Sequence, residues 1–341
     1  MTQDFSRAVQ LLQAGGLVAF PTETVYGLGA DAANPEAVAK IFAAKGRPAD
    51  HPLIVHLPGA AHLDRWARDI PAVAWELAEA FWPGPLTLIL KRAPEVPYAV
   101  TGGQETVGVR VPAHPIALDL LRAYAQAGGG QNGLCGIAAP SANRFGRISP
   151  TDAAHVHEEL GDAVALVLDG GPCAVGIEST IIDLSRDDGE GGILVPRLLR
   201  PGHITPEQIE DVIGVLPELP EARQDGNTPR VSGSLDAHYA PLTPMRVVAT
   251  TQLPDVLQSL KESGKCFGLL AHTRQPGLVP LHSLRQLPDE PEAYARGLYA
   301  ALRELDQAGN DLIVVEDISR EPGWAAVADR LRRAACGSVV S

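Results

Sequence analysis

A short apolar run, Gly16-Leu17-Val18-Ala19-Phe20, breaks off into Pro21-Thr22-Glu23-Thr24-Val25-Tyr26-Gly27-Leu28-Gly29. No other junction in the chain constrains the fold as strongly. The run has the length and content of a buried strand, and a strand should next turn and dive back into the core. Here the chain instead lays out three polar side chains and a tyrosine, then two glycines around Leu28. Hydroxyls and backbone amides at the C-terminal end of a strand form a small-ligand surface in α/β folds. A polar β-turn with glycines at positive φ would explain any one of these residues alone. The stretch takes its meaning from the segments that follow.

Those segments alternate. Residues 4–14 carry Phe5, Val9 and Leu12 on one helical face. Asn34-Pro35-Glu36 starts a helix with proline at its first position, carrying Val38, Ile41 and Phe42 inward and ending near Lys45-Gly46. Residues 71–82, 114–126 and 151–160 read as helices. Residues 53–57, 86–90, 107–111, 136–139, 165–169 and 177–184 read as strands. The pattern predicts an α/β fold with a mixed sheet over residues 1–213. Residues 214–244 hold Pro217, Pro220, Pro229, Pro241 and Pro244 without helical or strand period, and read as a linker. Residues 245–341 return to alternation, with strands at 245–249, 266–270 and 311–317 and helices at 253–262, 291–308 and 324–335. They predict a smaller, Rossmann-like C-terminal α/β domain, without the Gly-x-Gly-x-x-Gly of a dinucleotide site.

Several chemistries are excluded. Cys135, Cys173, Cys266 and Cys336 stand far apart, as reduced thiols do, with no disulfide or zinc spacing. His155 and His157 are two apart on a helix, so they do not share a face and read as exposed side chains, not metal ligands. No Walker-type phosphate loop, serine-hydrolase elbow or paired carboxylate is present. No apolar run spans a bilayer, and the N-terminus, with Asp4 where a signal peptide needs basic charge, predicts a cytoplasmic protein.

The formal net charge of −13 argues against a nucleic-acid binder that relies on a global positive field. Yet Lys45, Arg47, Arg110, Arg144, Arg147, Arg197 and Arg200 cluster in or beside the motifs, with Arg144 and Arg197 reading as solvated. An acidic chain with a local basic constellation predicts an anionic small molecule in a cleft. Lys45 and Arg47, expected in an exposed loop stiffened by Pro48, share one side if that loop is extended.

Taken in order, residues 21–29, Lys45-Gly46-Arg47-Pro48, Pro52-Leu53-Ile54-Val55-His56-Leu57, Trp82-Pro83-Gly84-Pro85-Leu86-Thr87, Val109-Arg110-Val111-Pro112, Ala139-Pro140-Ser141-Ala142-Asn143, Ile177-Glu178-Ser179-Thr180 and Leu199-Arg200-Pro201-Gly202 resemble the YrdC family of threonylcarbamoyl-AMP synthases. His238-Tyr239-Ala240-Pro241 is similar to the linker signature of its two-domain members. The resemblance implies a twisted mixed sheet with surrounding helices and a concave cleft. It implies adenylation of a threonine carbamate: L-threonine, bicarbonate and ATP become threonylcarbamoyl-AMP and pyrophosphate, for modification of tRNA beside the anticodon. Carried over by motif, it puts Thr24, His56, Arg110, Ser141 and Ser179 against threonine. Arg47, His51, Thr106, Asn143, Ser149, Arg200 and Tyr239 fall on the ATP side. Lys45 and Arg47 become the catalytic cations, and Tyr239 or His238 is expected to close over the nucleotide. Mg2+ is expected with ATP, and a transient contact with the threonylcarbamoyl-transfer machinery is expected, but no membrane and no stable nucleic-acid binding.

Two features depart from the family. His51 stands where other members often have Asn, and residues 127–133, Ala-Gly-Gly-Gly-Gln-Asn-Gly, look like a flexible insertion without a role. An RNA-binding module without adenylation chemistry is the alternative. The acidic charge and the lack of aromatic-basic interleaving weigh against it. A carbamoyl-transfer domain of the hydrogenase-maturation type would bring Cys-rich zinc segments, and the chain has none.

Overall fold

The computed structural model describes residues 5–186, 195–219, 228–233, 235–273 and 281–338. They fall into two compact units. One comprises Met1–Arg144, Thr151–Ala174 and Glu178–Ser234; the other comprises Phe145–Pro150, Val175–Ile177 and Leu235–Ser341. Of the Pro-rich linker expected at 214–244, residues 220–227 and 234 lie outside the described residues.

Among the described residues, nine strands form the sheet of the first unit: β1 (Val18–Phe20), β2 (Gly27–Asp31), β3 (Ile54–His56), β4 (Leu86–Lys91), β5 (Thr106–Arg110), β6 (Ile137–Ala138), β7 (Leu166–Val167), β8 (Thr180–Asp183) and β9 (Arg197–Arg200). Their order is β7-β1-β2-β6-β3-β5-β4-β8-β9. β7–β1, β3–β5 and β4–β8 pair in parallel, and the other pairs are antiparallel. The sheet is mixed, as the alternation predicts. β1, β2 and nearly all of β4 are buried at every residue, so both faces of the sheet are covered there.

β2 is the strand that the sequence hid. Gly27-Leu28-Gly29 reads as turn chemistry, yet it pairs antiparallel with β1 in the register Val18↔Gly29. Gly29 is there for want of space: a Cβ would meet the Phe20 ring at 2.7 Å and the Val18 carbonyl at 3.0 Å. β9 and the helix Pro206–Ile213, whose start is closed by a Thr205–Gln208 capping box, also went unread. The helix Pro35–Lys45 behaves as expected. Asn34 caps its first amides, and Gly46, at φ +61°, ends it while the Arg47 amide donates back to the Phe42 carbonyl at 3.0 Å.

Three exposure expectations are corrected. Lys45 is the last residue of that helix, and both it and Arg47 are buried. His155 is half-buried, because its Nδ1 accepts from the Thr151 amide at 3.3 Å and closes the start of its own helix. Arg197 pairs with Glu218 at 3.2 Å and donates to the Thr228 hydroxyl at 2.7 Å, where a solvated charge was expected. Residues 127–133 fold over Tyr124, whose hydroxyl accepts from the Gly130 amide at 3.0 Å.

The second unit holds β10 (Met245–Val248), β11 (Phe267–Ala271), β12 (Ser283–Gln286) and β13 (Leu312–Glu316) in the order β10-β13-β11-β12. All of its pairings are parallel, the pattern of βαβ crossovers. Val248, Leu253, Leu257, Phe267, Leu269 and Val314 form its core. β12 was not predicted, being largely exposed and without alternation. Among the described residues no helix is long and apolar enough to cross a membrane.

Overpacking is the direct test of β2. Gly29→Ala should cost about 1–3 kcal/mol of stability, because Phe20 and the β1 backbone must yield to the new methyl. Urea denaturation of the two proteins measures it; an unchanged midpoint would show that β1 and β2 are not packed this closely.

Candidate active site

The site grows from the C-terminal ends of β1, β3 and β5 in the first unit. β3 and β5 lie in parallel with His56 opposite Arg110. The loop after β1 folds against them. The Glu23 carboxylate pairs with Arg110 Nη2 at 2.5 Å, and both side chains are nearly inaccessible, at 10% and 4%. The second Glu23 oxygen accepts from the Ala113 amide at 3.0 Å. Arg110 Nη1 donates to the Thr24 hydroxyl at 2.9 Å, and its Nε donates to the Gly84 carbonyl at 3.0 Å. The Thr22 hydroxyl lies 2.8 Å from that of Thr24 and donates to the Val25 carbonyl at 2.6 Å. With its own proton committed there, Thr22 receives that of Thr24.

His56 is buried beside this pair, edge-on to Phe20. Burial, and then the Arg110 charge, push its pKa down to about 3. The ring is therefore neutral at pH 7, and its Nδ1 has no hydrogen-bond partner among the described residues.

Lys45 reaches across to the segment that follows β6. Its Nζ donates to the Ser141 carbonyl at 2.6 Å and to the Asn143 carbonyl at 2.5 Å. Burial, and then the nearby Arg47, hold its pKa well below the ordinary lysine value. Arg47 Nη2 donates to the Pro52 carbonyl at 3.0 Å. His51, half-buried in the same loop, is pushed down by burial and by Arg47.

A third cluster joins the ends of β8 and β9. Arg200 Nη2 donates to the Ser179 hydroxyl at 3.1 Å and its Nε to the Ser179 carbonyl at 3.0 Å. Ser179 and Thr87 share a 2.8 Å hydrogen bond, and Arg200 Nη1 donates to the Ser232 carbonyl at 2.8 Å. A residue expected on the threonine side and one expected on the ATP side are thus in direct contact.

Thr106 lines a small depression over this face of the sheet. Its walls are Ile54 of β3, Ile89 of β4, Gly108 of β5, Ile181 of β8 and Val231, with Arg230 and Ser232 beside them.

Of the expected residues, Thr24, His56 and Arg110 come together, as do Lys45 with the Ser141–Asn143 backbone, and Ser179 with Arg200. Ser149 and Tyr239 belong to the second unit. There Tyr239, buried at φ +61°, stacks on Tyr299 with ring centroids 5.9 Å apart and lies under the Arg330 guanidinium. Glu23, Thr87, Gln104 and residues 230–232 were missed. Glu23 stood inside a quoted motif, and its pairing with a residue 87 positions away is invisible without the sheet. Among the described residues no group of three or more His, Cys, Asp or Glu gathers as a metal site.

Residues 10–202 match the family of Sua5, YciO and YrdC proteins described as telomere recombination, and residues 204–336 match the threonylcarbamoyl-AMP synthase C-terminal domain. The chain is 41% identical over 334 residues to a threonylcarbamoyl-AMP synthase of Pyrococcus abyssi, covering 96% of this chain and 92% of that one. It is 40% identical to that of Bacillus subtilis, covering 98% and 94%. The crystal structure of P. abyssi Sua5 complexed with L-threonine superposes with a TM-score of 0.86 at 39% identity, covering 98% of this chain and 94% of that one.

The neutral His56 has a measurable consequence. Its folded pKa lies below its unfolded one, so the unfolded chain binds the extra proton between pH 6.5 and about 3. This contribution is fully present above pH 6.5 and is lost as pH falls. Between pH 7 and pH 5 it amounts to about 2 kcal/mol. Urea denaturation at both pH values should show that His56→Gln loses less stability than the parent by that amount; parallel losses would mean that His56 is not buried uncharged.

Proposed function

This chain belongs to the threonylcarbamoyl-AMP synthase family, and from that premise we propose that it makes threonylcarbamoyl-AMP from L-threonine, bicarbonate and ATP, releasing pyrophosphate. The observation that carries the reading is Lys45. Its amine is buried, donates to two backbone carbonyls, and has no carboxylate within ion-pair distance among the described residues. Burying such a group is costly unless an anion joins it. A carbamate or phosphate arriving beside Lys45 and Arg47 supplies that charge and raises the lysine pKa back toward its ordinary value.

In this proposal Thr24, His56, Arg110, Ser141 and Ser179 hold threonine, and Arg47, His51, Asn143 and Arg200 face the phosphates. The base lies in the depression lined by Thr106. Threonine's neutral amine adds to the carbon of bicarbonate and water leaves with one amine proton, giving a carbamate that is already an anion. One carbamate oxygen attacks the α-phosphorus, the bond to the bridging oxygen of the β-phosphate breaks, and pyrophosphate leaves with that electron pair. Lys45 and Arg47 offset the charge that builds up between nucleophile and leaving group. The Arg110 guanidinium is spent on Glu23, Thr24 and Gly84, so a substrate carboxylate meets it by sharing those bonds. We propose Mg2+ as the companion of ATP, held by phosphates and water and not by a protein cage. The adenylate then serves tRNA modification beside the anticodon, in the cytoplasm.

Pyrophosphate release with and without threonine and bicarbonate tests the reading, and release that ignores both would end it. Lys45→Ala and Arg47→Ala should each lower kcat/KM by about 10² or more. Because both side chains are buried, their unfolding midpoints are measured alongside; folded variants with near-normal release would remove both residues from the chemistry.

Threonine selection gives a second measurement. Serine keeps the hydroxyl and loses a methyl, so it should bind about 1–3 kcal/mol more weakly. 2-Aminobutyrate keeps the carbon skeleton and leaves a buried polar group unmet, a further loss. Calorimetric titration that finds all three equal would contradict a site that reads the threonine side chain.

A further inference from the structure

We infer that Gln104 is a positioning residue for the depression lined by Thr106, holding residues 230–232 in place as its outer wall. The inference rests on the adenylation reading, which gives that depression to the base. Gln104 Nε2 donates to the Arg230 carbonyl at 3.0 Å, and the Arg230 amide donates to Gln104 Oε1 at 2.7 Å. One side chain thus satisfies both backbone groups of a residue 126 positions away, as a neighbouring strand would. Only a carboxamide offers donor and acceptor side by side in this way, and asparagine is one methylene shorter.

The clamp stands on a firm base. Gln104 sits two residues before Thr106, where β5 begins. The turn that carries it is pressed against residue 50: a Cβ on Gly102, at φ +61°, would come within 2.4 Å of the Asp50 carbonyl. Arg230 reaches back over the same turn, donating to the Gly102 carbonyl at 3.0 Å and pairing with Asp50 at 3.3 Å. That ion pair is half exposed on both sides and adds little. The carboxamide therefore holds both backbone groups of Arg230 at this end.

At the other end Arg200 holds the Ser232 carbonyl. Between the two fastenings Val231 is buried against Ile89 and Ile181. Releasing Gln104 frees one end of the wall and leaves the Arg200 end and the sheet intact. The loss should fall on the base and not on threonine, whose proposed contacts lie on Thr24, His56, Arg110, Ser141 and Ser179.

The test uses the full chain. Pyrophosphate release is followed against ATP and against threonine, and thermal midpoints are recorded. Gln104→Ala should raise the KM for ATP tenfold or more, with a smaller effect on kcat and a threonine KM within twofold of the parent. Gln104→Glu keeps the acceptor for the Arg230 amide and loses the donor, so its KM should lie between the two. It is isosteric, and carries the measurement if the alanine variant does not fold. A parent protein that releases no pyrophosphate overturns the adenylation reading and the clamp with it. A parent that does release it, beside a Gln104→Ala variant with unchanged KM for ATP, overturns the clamp alone. Equal weakening of ATP and threonine also overturns it, since that is the mark of general loosening.

Discussion

The buried pair of Glu23 with Arg110 is the contact on which the site depends. It ties a loop rich in hydroxyls to the end of the sheet, and each partner is further bound, Glu23 by the Ala113 amide and Arg110 by Thr24 and Gly84. Removing one partner of such a pair strands the other as a buried charge, typically at a cost of about 3–5 kcal/mol. The same geometry explains His56. Set opposite Arg110 across the β3–β5 pair, it cannot carry a second positive charge in so little solvent. One ion pair therefore fixes the position of Thr24, while burial keeps its neighbour His56 uncharged.

Charge elsewhere in the site follows a different logic. The chain as a whole is acidic, with a formal net charge of −13, yet Lys45, Arg47, Arg110 and Arg200 are all buried in one unit. Arg110 is neutralised within the protein. Lys45 is held by two backbone carbonyls, which are dipoles and not counter-charges. A site with a cation solvated by fixed dipoles is preorganised for an anion that the protein does not itself supply. The global negative field then disfavours polyanions large enough to feel the whole surface, while the triphosphate of the proposed reaction would feel mainly the nearby cations.

Much of this was legible, for physical reasons that differ by element. The helix Pro35–Lys45 declared itself through its Asn cap, its N-terminal proline and its terminal glycine, all local chemistry. Three of the four parallel strands of the second unit, β10, β11 and β13, were legible as apolar runs. β2 was not, because its two glycines are set by the Phe20 ring and the Val18 carbonyl, neighbours that exist only after β1 pairs with it. Lys45 was expected to be exposed and is buried, held by carbonyls of Ser141 and Asn143, nearly a hundred residues on. Gln104 and Arg230 carried no signal, since neither a lone Gln nor an Arg in a Pro-rich stretch declares a partner 126 residues away.

The acid–base silence of the site is its last instructive property. The two imidazoles beside the loop after β1, His56 and His114, both have pKa values lowered chiefly by burial, and the Glu23 carboxylate is spent on Arg110 and an amide. For most condensations with ATP that would be a deficiency, since a neutral nucleophile must shed a proton on the way to the transition state. A carbamate has already shed it. Formation of the carbamate places the negative charge before the phosphorus is attacked, so the work left to the protein is alignment and charge compensation. Buried cations held by backbone dipoles are suited to that work, and a strong base there would only compete for them. In the proposed reaction, a buried lysine held by two backbone carbonyls suits a nucleophile that arrives ionised.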